Sequence, residues 1–436
     1  MAQNKCFVNE LPAELLGEIF IYSIQGSTPE SMWKVISYQC TLSHRRAPLS
    51  LTAVCQLWRV LAFGTPKLWD AISPTYNSIP IVKFWLNAIP QSAFHLRIAA
   101  GKKKSRDNME GACAMFRLLS KEYQRWRSLL IELDSLVASE FLMFLKSITL
   151  GSLTLDRLEA VVPRGPCSEK VIHEFLSLLS SFSCLEHLNF ESHSFTSFTI
   201  QDIPWPQLKT FRVLHESTVH QFAHYLSQSA SATSAEFQTN YILGDALTTP
   251  RNHYEPPLSL SCLTTLILGR GTDPLNLLAH FTLPNIQDII LEVGHRNHSA
   301  LESFIKRTPS LQSLLLQDSF NDWGDSPSAS YDEIVDWLTH DYLYCLPSFQ
   351  LNFYEAHTAG VGLIKNKVAS NTRFPSLTCW TAKRNVRGWM PTDFSVIGWH
   401  NTVKGGHGVY WTFSDGEFRF TDFFYRENEW DNEPKF

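Results

Sequence analysis

The sequence predicts an α/β chain. It begins with a three-helix module, continues as an irregular solenoid of parallel strands alternating with helices, and ends in an aromatic, β-rich cap. Three observations predict this. Apolar residues keep helical spacing up to Trp69, a short apolar phrase then recurs at intervals mostly in the twenties, and the end of the chain gathers aromatic residues at strand spacing. The corresponding bounds are 1–75, 76–370 and 371–436. At 436 residues, 44% hydrophobic and 18% charged, the chain has ample apolar material for folded cores and is too long for a single compact one.

In the first module, Leu11, Leu15, Leu16, Ile19 and Phe20 share one side of a helix, and Pro12 suits its first turn, where a missing N–H is harmless. A second helix is read from Leu51, Val54, Cys55, Trp58, Leu61 and Ala62, ending at Gly64. Thr65 and Pro66 then cap and open a short third turn that carries Leu68 and Trp69. So small a module has a marginal core, and its large side chains call for a second surface.

The Leu11-Pro12-x-Glu14 opening, the Leu15-Leu16-x-x-Ile19-Phe20 helix, Val54-Cys55-x-x-Trp58 and the closing Leu68-Trp69 resemble the F-box. In particular they resemble F-box proteins of mushroom-forming fungi. The segment from Gln25 to Pro48 is longer than in compact F-boxes. The resemblance implies docking on a Skp-type adaptor and, through it, on a cullin that carries ubiquitin-conjugating machinery. By position it implies that Leu11, Pro12, Leu15, Ile19, Val54, Cys55, Trp58, Leu61 and Trp69 pack within the motif or onto the adaptor. An ordinary helical cap on the solenoid would use the same residues as its core.

Behind this module the phrase runs apolar, two residues, apolar, one residue, apolar. It stands at Leu185-Leu188-Phe190, Leu208-Phe211-Val213, Ala232-Ala235-Phe237, Leu263-Leu266-Leu268, Ile286-Ile289-Leu291, Leu311-Leu314-Leu316 and Leu346-Phe349-Leu351. Weaker copies begin at Trp126 and Leu155. Helical stripes lie between the phrases, as in Val171-Ile172-Phe175-Leu179, Val219-Phe222-Leu226 and Leu301-Phe304-Ile305. Further helix starts are read at Asp273-Pro274 and at the Ser330–Glu333 capping box. This pattern resembles leucine-rich repeats over roughly residues 90 to 370. The Asn or Cys usual after the last leucine is replaced by His193, Gly271 and Gly294 in three copies.

In the aromatic segment, Val409, Trp411 and Phe413 alternate, Ser414-Asp415-Gly416 reads as a turn, and Phe418 and Phe420 alternate back, so a hairpin is expected. That segment reads either as a cap on the solenoid or as a recognition surface. Gly405-Gly406-His407-Gly408 reads as a flexible turn.

Charge and motifs narrow the function. With 37 Lys and Arg against 42 Asp and Glu, no basic surplus exists to hold nucleic acid. No apolar run is long enough to span a membrane, and the first ten residues lack the core of a secretory leader. Nine scattered cysteines without a CxxC pair fit a reducing compartment, and hence a cytoplasmic or nuclear location. His215, Glu216, His220 and His224 come nearest to a metal set, but a helix surface is the simpler reading. Gly324-Asp325-Ser326 lacks the elbow glycine of a hydrolase nucleophile. The basic run Lys102-Lys103-Lys104 is read as a solvated loop or an import signal. No catalytic constellation, metal site or cofactor is expected, so the chain is read as a non-enzyme.

The combined reading is a substrate receptor of a Skp–cullin–F-box ubiquitin ligase. The alternative is a repeat scaffold with no link to ubiquitin. Residues between the second and third phrase positions face away from the core: Asn189, Arg212, Glu236, Ile267, Ile290 and Leu315. The polar half around His187, Asn189, Glu191, Arg212 and Glu236 is expected to be open to an unidentified substrate protein. Ile267, Ile290 and Leu315 should align as an apolar stripe, covered either by the chain's own aromatic tail or by substrate.

Overall fold

The recurring phrase works as strand code because its second and third positions are two residues apart and therefore share one face of a strand. The computed structural model describes residues 11–24, 48–72, 79–88, 93–98, 106–133, 135–148, 153–162, 169–192, 203–214, 219–238, 258–269, 278, 281–293, 298–318, 340–355, 376–383, 393–402 and 406–413. It is a mixed α/β fold with parallel strands. The described chain divides into two compact units between Pro204 and Trp205.

The first unit opens with α1 (Ala13–Ile24), α2 (Leu49–Thr52) and α3 (Gln56–Phe63), followed by a 3-10 turn over Pro66–Leu68. The single helix expected from Leu51 to Ala62 is in fact two. Cys55 is extended, with φ −156° and ψ 174°, and its Sγ accepts the Trp58 N–H at 3.4 Å, so it caps α3 and interrupts the run. Pro66 opens the next turn as expected, but the Thr65 hydroxyl donates backward to the Leu61 carbonyl at 2.8 Å and does not cap it.

Strands then alternate with helices. They are β1 (Ala71–Ile72), α4 (Ile79–Ala88), β2 (Phe94–Ile98), α5 (Arg106–Leu119), β3 (Trp126–Glu132), α6 (Ser135–Ser147), β4 (Arg157–Val162), α7 (Glu169–Leu179) and β5 (His187–Ser192). Each strand pairs in parallel with the next, and phrase positions meet across the ladder: Leu96, Leu129, Leu158 and Leu188 in one row, Ile98, Ile131, Ala160 and Phe190 in another. All eight are buried. Phe116 of α5, Phe141 of α6 and Phe175 of α7 interlock edge to face or tilted over this layer. The series begins at β1, inside the region assigned to the first module. Two residues are too few to show alternation in a sequence.

The second unit carries β6 (Thr210–Leu214), α8 (Val219–Gln228), β7 (Ser234–Gln238), β8 (Leu258–Ser259), β9 (Thr265–Leu268), β10 (Phe281–Thr282), β11 (Asp288–Val293), α9 (His298–Arg307), β12 (Ser313–Asp318) and β13 (Ser348–Glu355). Here Phe211, Ala235, Leu266, Ile289, Leu314 and Phe349 form one register row, and Val213, Phe237, Leu268, Leu291, Leu316 and Leu351 the next. Phe222 of α8 rests on Phe237 with ring centroids 4.4 Å apart. Strands β8 and β10 pair as a small separate ladder.

The aromatic segment departs from expectation at its near end. Strand β14 (Ser376–Lys383) is parallel to β13, with Leu377 in line with Phe349, so the parallel series runs past residue 370. Strands β15 (Asp393–Thr402) and β16 (Gly406–Phe413) then turn antiparallel. Val409, Trp411 and Phe413 lie on β16 as expected, but that strand pairs backward with β15. The turn at 414–416 and the return through Phe418 and Phe420 lie outside the described residues. Gly406, His407 and Gly408, expected in a turn, belong to β16. Also outside are the helix starts at Asp273 and Ser330, His215, Glu216, the Gly324-Asp325-Ser326 segment and the basic run at Lys102–Lys104.

Candidate functional site

Two surfaces of the chain hold residues that the sequence singled out. The first is the outer side of α1 and α3. Five apolar residues, Leu11 just before α1 and Leu15, Leu16, Ile19 and Phe20 on it, share a side in the sequence, and the structure splits them into two sets. Leu16 and Phe20 turn inward and are fully buried, while Leu11, Leu15 and Ile19 turn outward, Leu15 being 52% exposed. Positions four apart on a helix stand one above another, so Leu16 and Phe20 line one side of α1 and Leu15 and Ile19 another. Val54 is 58% exposed, and three residues that the motif reading missed are exposed as well: Tyr22 on α1, and Leu57 and Val60 on α3. Their signal is legible in retrospect. Helix α3 carries Trp58, Leu61 and Ala62 on one stripe and Leu57 and Val60 on another, and a helix apolar on two sides has two neighbours to satisfy.

The remaining motif residues hold the module together from within. Trp69 is fully buried, so its place is inside the module and not on a contact surface. Its ring stacks on Phe63 at 5.2 Å and its Nε1–H donates to the Ala62 carbonyl at 2.7 Å. Trp58 packs on Phe20 at 4.8 Å, and its Nε1 is shut from solvent with no acceptor among the described residues. Cys55 serves as the α3 cap, Leu61 is half-buried, and Pro12 is exposed beside Leu11.

The second surface is the strand face opposite the core. In the first unit it presents His95, Ser128, Arg157 and His187 in one register row and Arg97, Leu130, Glu159 and Asn189 in the next. Asn189 was expected on open surface, yet it is 1% exposed and both its amide atoms lack a hydrogen-bond partner among the described residues. His187 and Glu191 beside it are half-exposed. In the second unit the row reads Arg212, Glu236, Ile267, Ile290, Leu315, Gln350. Glu236, also expected open, is buried and ion-paired to Arg212, Nε to Oε1 at 2.9 Å. The expected stripe of Ile267, Ile290 and Leu315 is aligned. Ile267 is buried, whereas Ile290 and Leu315 are half-exposed. Strands β14 to β16 follow β13 as successive sheet neighbours. This part of the tail therefore prolongs the ladder and does not lie across the stripe, contrary to the expected clamp.

One polar cluster on the first unit has a pH consequence. His95 Nδ1 lies 2.7 Å from the Ser128 hydroxyl. Burial, and after it the charge of Arg127, hold the imidazole below its usual pKa; Asp156 opposes this and Arg157 adds to it. A histidine with a lowered folded pKa takes its proton first in the unfolded chain. Stability is therefore lost as pH falls through about 6.5 toward the folded value, and levels off once the folded imidazole also protonates. His95→Gln should flatten that part of the acid loss. Urea midpoints of both proteins across this window check it, and an unchanged slope would refute it.

No three His, Cys, Asp or Glu side chains among the described residues are grouped to hold a metal ion. His224 is exposed on α8, which also carries His220. No described helix is long and apolar enough to cross a membrane. No family model matches the chain, and no curated protein is significantly similar to it in sequence.

Proposed function

We propose that the chain is the substrate-recognition subunit of a Skp–cullin–F-box ubiquitin ligase, working in the cytoplasm or nucleus. The observation that carries this reading is the exposure of Leu15 and Ile19 on α1, of Leu11 just before it, and of Val54. These are motif positions of the resemblance, and all four are exposed apolar side chains. Exposed apolar side chains stacked along one helix of a small module mark a contact surface. The buried motif residues, Trp69 and its neighbours, give that surface a rigid backing. Strands with a helix-covered face leave the other face free to hold a target protein. A receptor of this kind needs no catalytic residue, because its effect is to raise the local concentration of a target lysine near activated ubiquitin.

The test is capture of a Skp-type adaptor by the co-expressed chain. Wild type should capture it. Leu15→Asp with Ile19→Asp should abolish capture while leaving the free energy of urea unfolding within about 0.5 kcal/mol, since both side chains are at the surface. Failure of the wild type to capture adaptor, or undiminished capture by the double variant, refutes the proposal. The first of these results would leave a repeat scaffold without a ubiquitin role.

A further inference from the structure

The opposite face of the second unit places an uncompensated carboxylate beside an apolar stripe. One register row there is Thr210, Ser234, Thr265, Asp288, Ser313 and Ser348. The next, two residues along each strand, is Arg212, Glu236, Ile267, Ile290, Leu315 and Gln350. Arg212 and Glu236 neutralise each other. Asp288 stands between Thr265 and Ser313, is exposed, and has no hydrogen bond or ion pair with any described side chain. Partial burial raises its carboxyl above the ordinary value, with no cation offsetting the shift. Asp288 and Ile290 are alternate residues of β11, about 6.8 Å apart, which is also the spacing of alternate residues in an extended peptide. Ile290 is flanked in register by buried Ile267 and half-exposed Leu315, so the accessible apolar contact spans two strands about 4.8 Å apart.

We propose that this face takes an extended segment of the recruited protein in which a Lys or Arg stands two residues from a large apolar side chain. The cation sits on Asp288 and the apolar side chain lies across Ile290 and Leu315. Charge selects this occupant over the others. A nucleic acid would bring phosphate against Asp288, and a two-fold copy of this chain would bring a second Asp288 toward the first. The proposal rests on the reading that the strand face recruits protein, and it is independent of whether α1 and α3 bind an adaptor.

Selection of a random peptide display library on the full-length chain tests it, followed by fluorescence anisotropy with one selected peptide. Selected peptides should share the basic–x–apolar pattern. Asp288→Asn should weaken binding several-fold, and Asp288→Lys should weaken it about tenfold or more. Ile290→Gln with Leu315→Gln should remove binding. Urea midpoints and adaptor capture unchanged from wild type show that these variants remain folded and that the adaptor reading stands or falls separately. Absence of any selected pattern, a pattern without the basic residue, undiminished binding by Asp288→Lys, or a wild-type dimer dissociated by the Ile290 and Leu315 changes would each overturn the proposal.

Discussion

Trp69→Ala is expected to unfold the N-terminal helices while both strand ladders persist. The side chain is wholly buried, stacked on Phe63 and hydrogen-bonded to the Ala62 carbonyl at 2.7 Å. Removing a buried Trp costs about 3–5 kcal/mol, and a module of short helices has little stability in reserve. The lost hydrogen bond is the smaller part, because the Ala62 carbonyl also takes the Thr65 N–H at 3.3 Å. Trp69→Phe, which keeps a ring against Phe63, should lose only about 1–2 kcal/mol. Hydrogen exchange read by segment is the measurement. Amides of α1 and α3 should lose protection in the alanine variant, and those of β9, β11 and β12 should keep it. Retained protection across α3 would show that the module does not depend on this residue.

Arg212→Ala carries the other large effect. Glu236 is only 2% exposed, and the guanidinium is its cation at 2.9 Å. Removing one partner of a buried pair costs about 3–5 kcal/mol, although the pair itself adds little over apolar residues of the same volume. The double change Arg212→Met with Glu236→Leu should therefore recover most of the loss. Urea unfolding of wild type, single and double variants separates the cases. Equal loss in single and double variants would mean that packing, not charge, is at stake.

These two sites show how unevenly the structure could be read from the sequence. Trp69 was legible as a motif residue, but nothing local said whether it faced the core or a partner. Arg212 and Glu236 were legible as outward residues of their strands, because alternation assigns each residue to a face. Their pairing was not, since it depends on β6 and β7 being neighbours in register, the two residues lying 24 positions apart in the chain. The stripe of Ile267, Ile290 and Leu315 was legible because the same phrase repeats in each strand and forces the same register. Tyr22, Leu57 and Val60 were passed over because one apolar stripe per helix had already been assigned.

What the sequence determined by itself is the periodic part. A phrase with apolar residues two apart sets a strand, its recurrence sets parallel neighbours in register, and Leu188, Leu266 and Leu314 are buried wherever the phrase occurs. What only the tertiary structure decided is exposure on the opposite face and the ends of the series. Asn189 and Glu236 share a period with Ile290, yet they are buried and it is half-exposed. Strand β1 joins a parallel ladder although its two residues carry no phrase, and β14 does so with a copy, Phe374-Leu377-Cys379, beyond the expected end of the series. The reason is physical. Periodicity fixes the direction in which a side chain leaves its own strand, whereas burial depends on side chains of strands about 4.8 Å to either side, which local sequence does not specify.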